Sequence, residues 1–222
     1  MELVNLVAAN IGFVGTHFAM SHPLRAGIVS AIGETGFQIA YSLVSFLMLA
    51  WVYFAFTAAP AGDLPGSGNI GWAIATALTL PAMVLLVGSL FGNPALPTPM
   101  AKDQARAEPR GVFKITRHPM MWGVGLWALS HIVIHVSWRT TITAFAMGIL
   151  ALAGSRLQDR KKQALMGEAW AEWESKTSYW PRWGAMLQAG TFAWATGLLL
   201  FFLLTWLHIP VGGIEAGLWR WF

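Results

Sequence analysis

The chain has no cysteine. That excludes disulfides, thiolate catalysis, zinc–thiolate sites and iron–sulfur clusters. It is also poor in charge: only 11% of its 222 residues are Asp, Glu, Lys or Arg, where a soluble domain carries about 25%. An ordinary soluble protein is therefore excluded. Disorder is excluded as well, because it needs low hydrophobicity and high net charge, and here 56% of residues are hydrophobic. Serine hydrolase chemistry of the nucleophile-elbow kind finds no Gly-x-Ser-x-Gly. Tyrosine is scarce at three residues, whereas tryptophan reaches 13. An indole ring sits well at a membrane interface, its body apolar and its N–H wet. These features, with a mean hydropathy of +0.55, point to an integral membrane protein.

A helix crosses the hydrocarbon core with about 20 apolar residues. Six segments approach this: 3–20, 37–58, 70–91, 119–136, 140–154 and 191–208. The expected fold class is all-α, a polytopic bundle of about six transmembrane helices forming a single domain over residues 1–222. The fourth and fifth segments, separated only by Ser137, Trp138 and Arg139, read as a tight antiparallel hairpin. A cleavable signal peptide is not expected, since the start Met1-Glu2 is acidic and no small-x-small site follows the first span.

Charge then orients the bundle. Segment 92–118 holds Lys102, Arg106, Arg110, Lys114 and Arg117. Segment 155–183 holds Arg156, Arg160, Lys161, Lys162, Lys176 and Arg182. With Arg25, twelve of the 14 basic residues fall on one side of six spans. The positive-inside rule makes that side cytoplasmic, with both termini outside. The high pI of 9.8 thus reports membrane orientation, and no nucleic-acid partner is expected. Segment 92–109 has four prolines (Pro94, Pro97, Pro99, Pro109) and cannot be one helix. Segment 155–178 reads as an amphipathic interfacial helix broken near Gly167, either anchored on lipid headgroups or covering a site.

No carboxylate lies well inside a span, so carboxylate dyads and proton transport through buried Asp or Glu are excluded. Imidazole remains. His17 falls in the first span and His131 in the fourth, followed by His135 one turn on; His22, His118 and His208 complete the set. One histidine in a span is most often a tie between helices. Two on separate spans raise axial ligation of a haem iron by neutral imidazole. The run Trp122-Gly123-Val124-Gly125-Leu126-Trp127-Ala128 offers the aromatic and small residues a flat macrocycle needs, Gly123 and Trp127 sharing one face. Close helix packing through small residues is the plainer account of the same run. Depth separates the two candidates: His131 lies 13 residues beyond His118, roughly 20 Å along a helix, whereas His17 sits near the end of its span. Arg117-His118-Pro119 marks a helix start. It reads as a basic anchor or as an anion or cofactor site, with Lys and Arg able to pair with haem propionates.

The string Gly111-Val112-Phe113-Lys114-Ile115-Thr116-Arg117-His118-Pro119, with Trp122-Gly123 and Leu126-Trp127-Ala128-Leu129-Ser130-His131, resembles the signature of the NnrU family. Phe13-Val14-Gly15-Thr16-His17-Phe18, Tyr41-Ser42-Leu43-Val44-Ser45, Gly167, Trp170, Thr177-Ser178 and Pro181 extend the resemblance along nearly the whole chain. These are bacterial membrane proteins associated with denitrification and nitric oxide metabolism. The family includes the plant zeta-carotene isomerase, a haem b enzyme. The resemblance implies haem b held by His17 and His131; Arg117, His118, Gly123 and Trp127 are the further cofactor-binding candidates that the residues themselves offer. It also implies carotenoid cis–trans isomerisation, redox activity, or a response to nitric oxide or another small hydrophobic molecule. The isomerase's cysteine ligand, three residues before its second histidine, falls on Ala128. A more distant resemblance, to the isoprenylcysteine carboxyl methyltransferases, rests on Arg117-His118-Pro119 and on Gly167, Trp170, Trp173 and Pro181. It implies S-adenosylmethionine and methyl transfer to a lipid or isoprenoid. Gln158-Asp159 and Met120-Met121 stand where that family has paired glutamates and a tyrosine. A third expectation is a non-enzymatic accessory protein of a respiratory complex.

Overall fold

The computed structural model describes all residues 1–222 as helices and connecting turns, with no strand. The helices are α1 (Glu2–Ser21), α2 (Arg25–Ala58), α3 (Gly68–Gly88), α4 (Ala101–Arg106), α5 (Pro119–Ile134), α6 (Trp138–Met166), α7 (Glu168–Lys176) and α8 (Thr191–Gly212). Five of them, α1, α2, α3, α6 and α8, are long and apolar enough to cross a membrane. The fourth apolar segment, α5, is shorter at 16 residues, about 24 Å at 1.5 Å per residue. It ends at His135, which adopts a left-handed conformation (φ 50). The chain restarts at Ser137, whose hydroxyl accepts from the Thr140 backbone N–H. That cap turns α5 into α6 and makes the expected hairpin.

Two boundaries differ from the sequence expectation. The fifth span and the first half of the amphipathic segment form one continuous helix, α6, 29 residues long. Nothing between Gly154 and Gly167 breaks it, since no proline intervenes. Its apolar part closes at Gly154, and residues 155–166, bearing Arg156, Asp159, Arg160, Lys161 and Lys162, project beyond the span. The break at Gly167 occurs where expected, with φ +58, a conformation open to glycine. The other difference is α2, which starts at Arg25 rather than near residue 37 and bends at Gly33 (φ 74, ψ 171).

The principal contacts run α2 to α1, α1 to α6, α6 to α5, α5 to α3, and α3 to α8. Small residues set the closest approaches. A Cβ on Gly123 would stand 2.8 Å from the Ala82 carbonyl oxygen, and one on Gly197 would stand 2.8 Å from Val84 Cα. The main core gathers at the Lys/Arg-rich end, the basic end. There Ala82–Leu85 of α3 meet Val112, Phe113, Trp170, Trp173 and Phe201. Trp170 and Trp173 are buried at 0% and 2% exposure. The α7 helix therefore presents its indoles to protein, packing on α4, and covers the basic end.

Candidate functional site

The start of α5 is stitched to the segment that follows α7. Arg117 N donates to Ser178 O at 2.8 Å, and Arg182 N donates to Ile115 O at 2.9 Å. Thr116 Oγ1 and Trp122 Nε1 both donate to Tyr179 O, at 2.8 and 3.0 Å. These bonds hold Arg117 and His118 in place just before Pro119 opens the helix.

The projecting end of α6 supplies what they face. Arg117 donates Nε and Nη2 to the Asp159 carboxylate at 2.8–3.1 Å. His118 Nε2 lies 2.8 Å from Asp159 Oδ1. Glu174 of α7 approaches Arg117 Nη2 at 3.3 Å. Burial pushes the Asp159 carboxyl up, but hydrogen bonds from His118 and Arg117, and their charges, outweigh it and hold it below the usual aspartate value. A carboxylate can only accept, so His118 donates its Nε2–H, and its other ring nitrogen is Nδ1. That Nδ1 is buried and has no partner. The His118 side chain is fully buried and walls a cavity of about 20 Å³ with Asn93, Met120, Met121 and Gln158, room for about one water.

On the other side of Asp159 lies a shallow, largely open depression of about 390 Å³. Its walls carry Arg156, Arg160 and Gln163 of α6, Glu174, and the aromatic pair Tyr179 and Trp180. The Tyr179 hydroxyl is tied to Ser155 Oγ at 2.8 Å, while the Arg156 and Arg117 guanidinium groups lie 5.1 and 5.4 Å from its ring. Asp159, Glu174, Arg156 and Tyr179 were not singled out as site residues from the sequence. The available signal was Asp159 itself, the one carboxylate in an otherwise basic run from Arg156 to Lys162.

The intramembrane histidines form separate groups. His17 Nδ1 donates to Phe13 O at 2.7 Å and its Nε2 meets Ser45 Oγ of α2 at 3.3 Å, with Tyr41 edge-on at 5.3 Å. His131 Nδ1 donates to Trp127 O at 2.9 Å. The His131 ring lies 4.4 Å from the Trp127 ring and 6.3 Å from His208 of α8. His208 Nδ1 donates to Leu204 O at 2.7 Å. A carbonyl only accepts, so each of the three imidazoles donates from Nδ1. His17 and His131 do not meet. Phe18 faces Gly154 on α6, whereas Ala128 faces Gly148 and Gly125 faces Leu152. The two histidines are thus level with points about eight residues apart along α6, roughly 12 Å. They also turn toward opposite flanks, α2 and α8. In the structure His17 thus packs against Ser45 and Tyr41 of α2, and His131 against His208 of α8. No cluster of three or more His, Asp or Glu side chains stands ready for a metal. Gly123 is taken up by its contact with α3, and Trp127 by its stack on His131.

The sequence profile of the NnrU family, described as NnrU protein, matches residues 5–216. The chain belongs to the NnrU family. No curated protein and no solved structure matches it. In this NnrU protein the signature residues Arg117 and His118 are those the fold brings together with Asp159, whereas the signature histidines His17 and His131 are kept apart.

Proposed function

We propose that this NnrU protein binds a small zwitterionic cofactor of the S-adenosylmethionine class at the basic-end cleft and acts there on a lipid-soluble substrate from the bilayer. The carrying observation is the Arg117–Asp159–Glu174 cluster on the wall of this depression, with Arg156, Arg160, Tyr179 and Trp180 around it. Arg156 and Arg160 suit a carboxylate, Asp159 and Glu174 an ammonium, and the faces of Tyr179 and Trp180 a sulfonium or a purine. Such a cofactor supplies a methyl group when bound. The chain's own part is to hold Arg117 at the cleft wall through Asp159, which His118 backs from the buried side. The excess of basic residues at this end supports a cytoplasmic location for the cleft, with both termini outside. Calorimetry on protein in detergent tests the reading. Heat of binding with S-adenosylmethionine, lost in Arg156→Gln/Arg160→Gln, supports it; no heat at millimolar cofactor with folded protein removes it.

A second reading is imidazole ligation of haem b, with isomerase, redox or nitric oxide chemistry attached. Its support is that His131 and His208 each donate from Nδ1 to a backbone carbonyl and leave Nε2 without a hydrogen-bond partner, whereas His17 Nε2 is engaged by the Ser45 hydroxyl. The pair within reach of each other is His131 with His208. A Soret band in protein purified after expression with ample haem, lost in His131→Ala, favours this reading. Its absence counts against it. A stable co-purifying protein, with neither cofactor bound, favours the accessory role.

A further inference from the structure

At the end of the bundle opposite the basic end, α5 and α8 each bring one imidazole. His131 and His208 stand about one turn before the last residue of their helices. Their ring centroids are 6.3 Å apart, with 37° between the ring planes. Each Nδ1 donates to the carbonyl one turn back, Trp127 O at 2.9 Å and Leu204 O at 2.7 Å. Ser130 Oγ lies 3.2 Å from His131 Nδ1, but it gives its own proton to Trp127 O at 2.7 Å and has none for the ring. In the neutral rings the lone pair therefore sits on Nε2, which has no hydrogen-bond partner in either residue.

Histidines in membrane helices ordinarily tie one helix to another by a hydrogen bond. This pair does not, because both N–H groups are used within their own helices. What remains between the helices is two acceptors and no donor, an arrangement that a cation completes. A ring whose other N–H is anchored on a carbonyl is also the usual form of a metal-ligating histidine. The spacing selects a geometry. An ion about 2.0 Å from each nitrogen and collinear with both rings sets their centroids roughly 6 Å apart, whereas tetrahedral angles draw them to about 5 Å. The observed 6.3 Å matches the collinear case. The charge selects the ion. Neither α5 nor α8 contains Asp or Glu, and no third His, Asp or Glu completes the group. A divalent ion would keep its double charge uncompensated in apolar surroundings. Cu(I) carries a single charge, accepts imidazole and is satisfied by two collinear nitrogens.

We infer that His131 and His208 hold one Cu(I) ion between their Nε2 atoms, joining α5 to α8. The same His131 cannot then ligate haem, so this site and the haem reading exclude each other.

The test is a titration of the full chain in detergent with Cu(I), kept reduced by ascorbate, against the chromophoric chelator bicinchoninate. The protein is expected to withdraw copper from the chelator one-to-one, and its Tm to rise with Cu(I). His131→Ala and His208→Ala are each expected to lower the affinity about 100-fold, since even a lost supporting contact to a ligand costs about 10–100-fold. His135→Asn is expected to leave it unchanged: the His135 ring lies against Trp138, and asparagine accepts its left-handed backbone. The metal-free Tm of each variant reports folding, and His208→Ala, at a half-buried position, decides alone if His131→Ala does not fold. No withdrawal of copper, or undiminished withdrawal by His208→Ala, overturns the inference. An equal loss in His135→Asn moves the ligands onto α5 alone and overturns it as well. Zn(II) binding as tight as Cu(I) overturns the choice of ion, and a Soret band lost in His131→Ala assigns that imidazole to haem instead. None of these outcomes bears on the cleft at the basic end, which contains neither histidine.

Discussion

The His118 imidazole donates Nε2–H to Asp159 Oδ1 at 2.8 Å across 41 residues of sequence. The same carboxylate receives two donors of Arg117. One aspartate thereby fixes two consecutive side chains at the mouth of α5.

Asp159→Asn should break this unit. The amide keeps the shape but cannot compensate the Arg117 charge, and one of its two acceptors is gone. A loss of roughly 2–4 kcal/mol is expected from hydrogen bonds to charged groups and from a partly buried, uncompensated cation. Denaturant unfolding in detergent, followed by tryptophan fluorescence, measures it. A change near zero would show that Arg117 is satisfied by Glu174 and solvent alone.

Acid should break it too, and the direction follows from the Asp159 carboxyl lying below the ordinary aspartate value. A group depressed in the folded state contributes stability above its unfolded pKa, near 3.9. It loses that contribution as pH falls through the folded value. The stability gap between the parent and Asp159→Asn should therefore stay constant from pH 7 to about pH 4 and close below it. Closure beginning near pH 6 would contradict the assignment.

Gly123→Ala tests the packing role of the α5 glycines. On helix propensity alone, alanine is better by about 1 kcal/mol. The new Cβ would meet the Ala82 carbonyl oxygen at 2.8 Å, and backbone cannot step aside cheaply. A net loss of about 1–3 kcal/mol is expected, seen as a lower Tm in detergent. Gly15→Ala, with open space around it, should be neutral or stabilising in the same assay.

The absence of cysteine makes topology directly measurable. Gly62→Cys, in the loop between α2 and α3, should react with a membrane-impermeant maleimide in intact spheroplasts. Glu108→Cys, in the basic segment, should react only after permeabilisation. The reverse pattern would invert the orientation set by the basic residues.

The α5–α6 hairpin and the Gly167 break were legible because their causes are local. Ser137 caps α6 in place, and Gly167 supplies a conformation that other residues resist. The length of α6 was less legible. Hydropathy falls at Gly154 although the backbone has no reason to stop there, since the change from lipid to water alters side-chain cost and not helical geometry. Trp170 and Trp173 were equally ambiguous, because an indole on an amphipathic helix suits a headgroup layer and a protein core alike. The α4 and α3 surfaces settled it.

From its composition and spacing the chain by itself determined an all-helical membrane protein, its apolar segments, the sorting of its charge, and the Arg117-His118-Pro119 and histidine motifs. Those are properties of single segments in apolar or aqueous surroundings. Only the tertiary structure decided which motif residues meet. Asp159 reaches His118 because α6 runs on past its apolar part and packs beside the start of α5. His17 packs on α2 and His131 on α8, because α1 and α5 turn those faces to different neighbours. Helix register and rotation are set by long-range packing contacts such as Gly123 on Ala82, and no local segment encodes them.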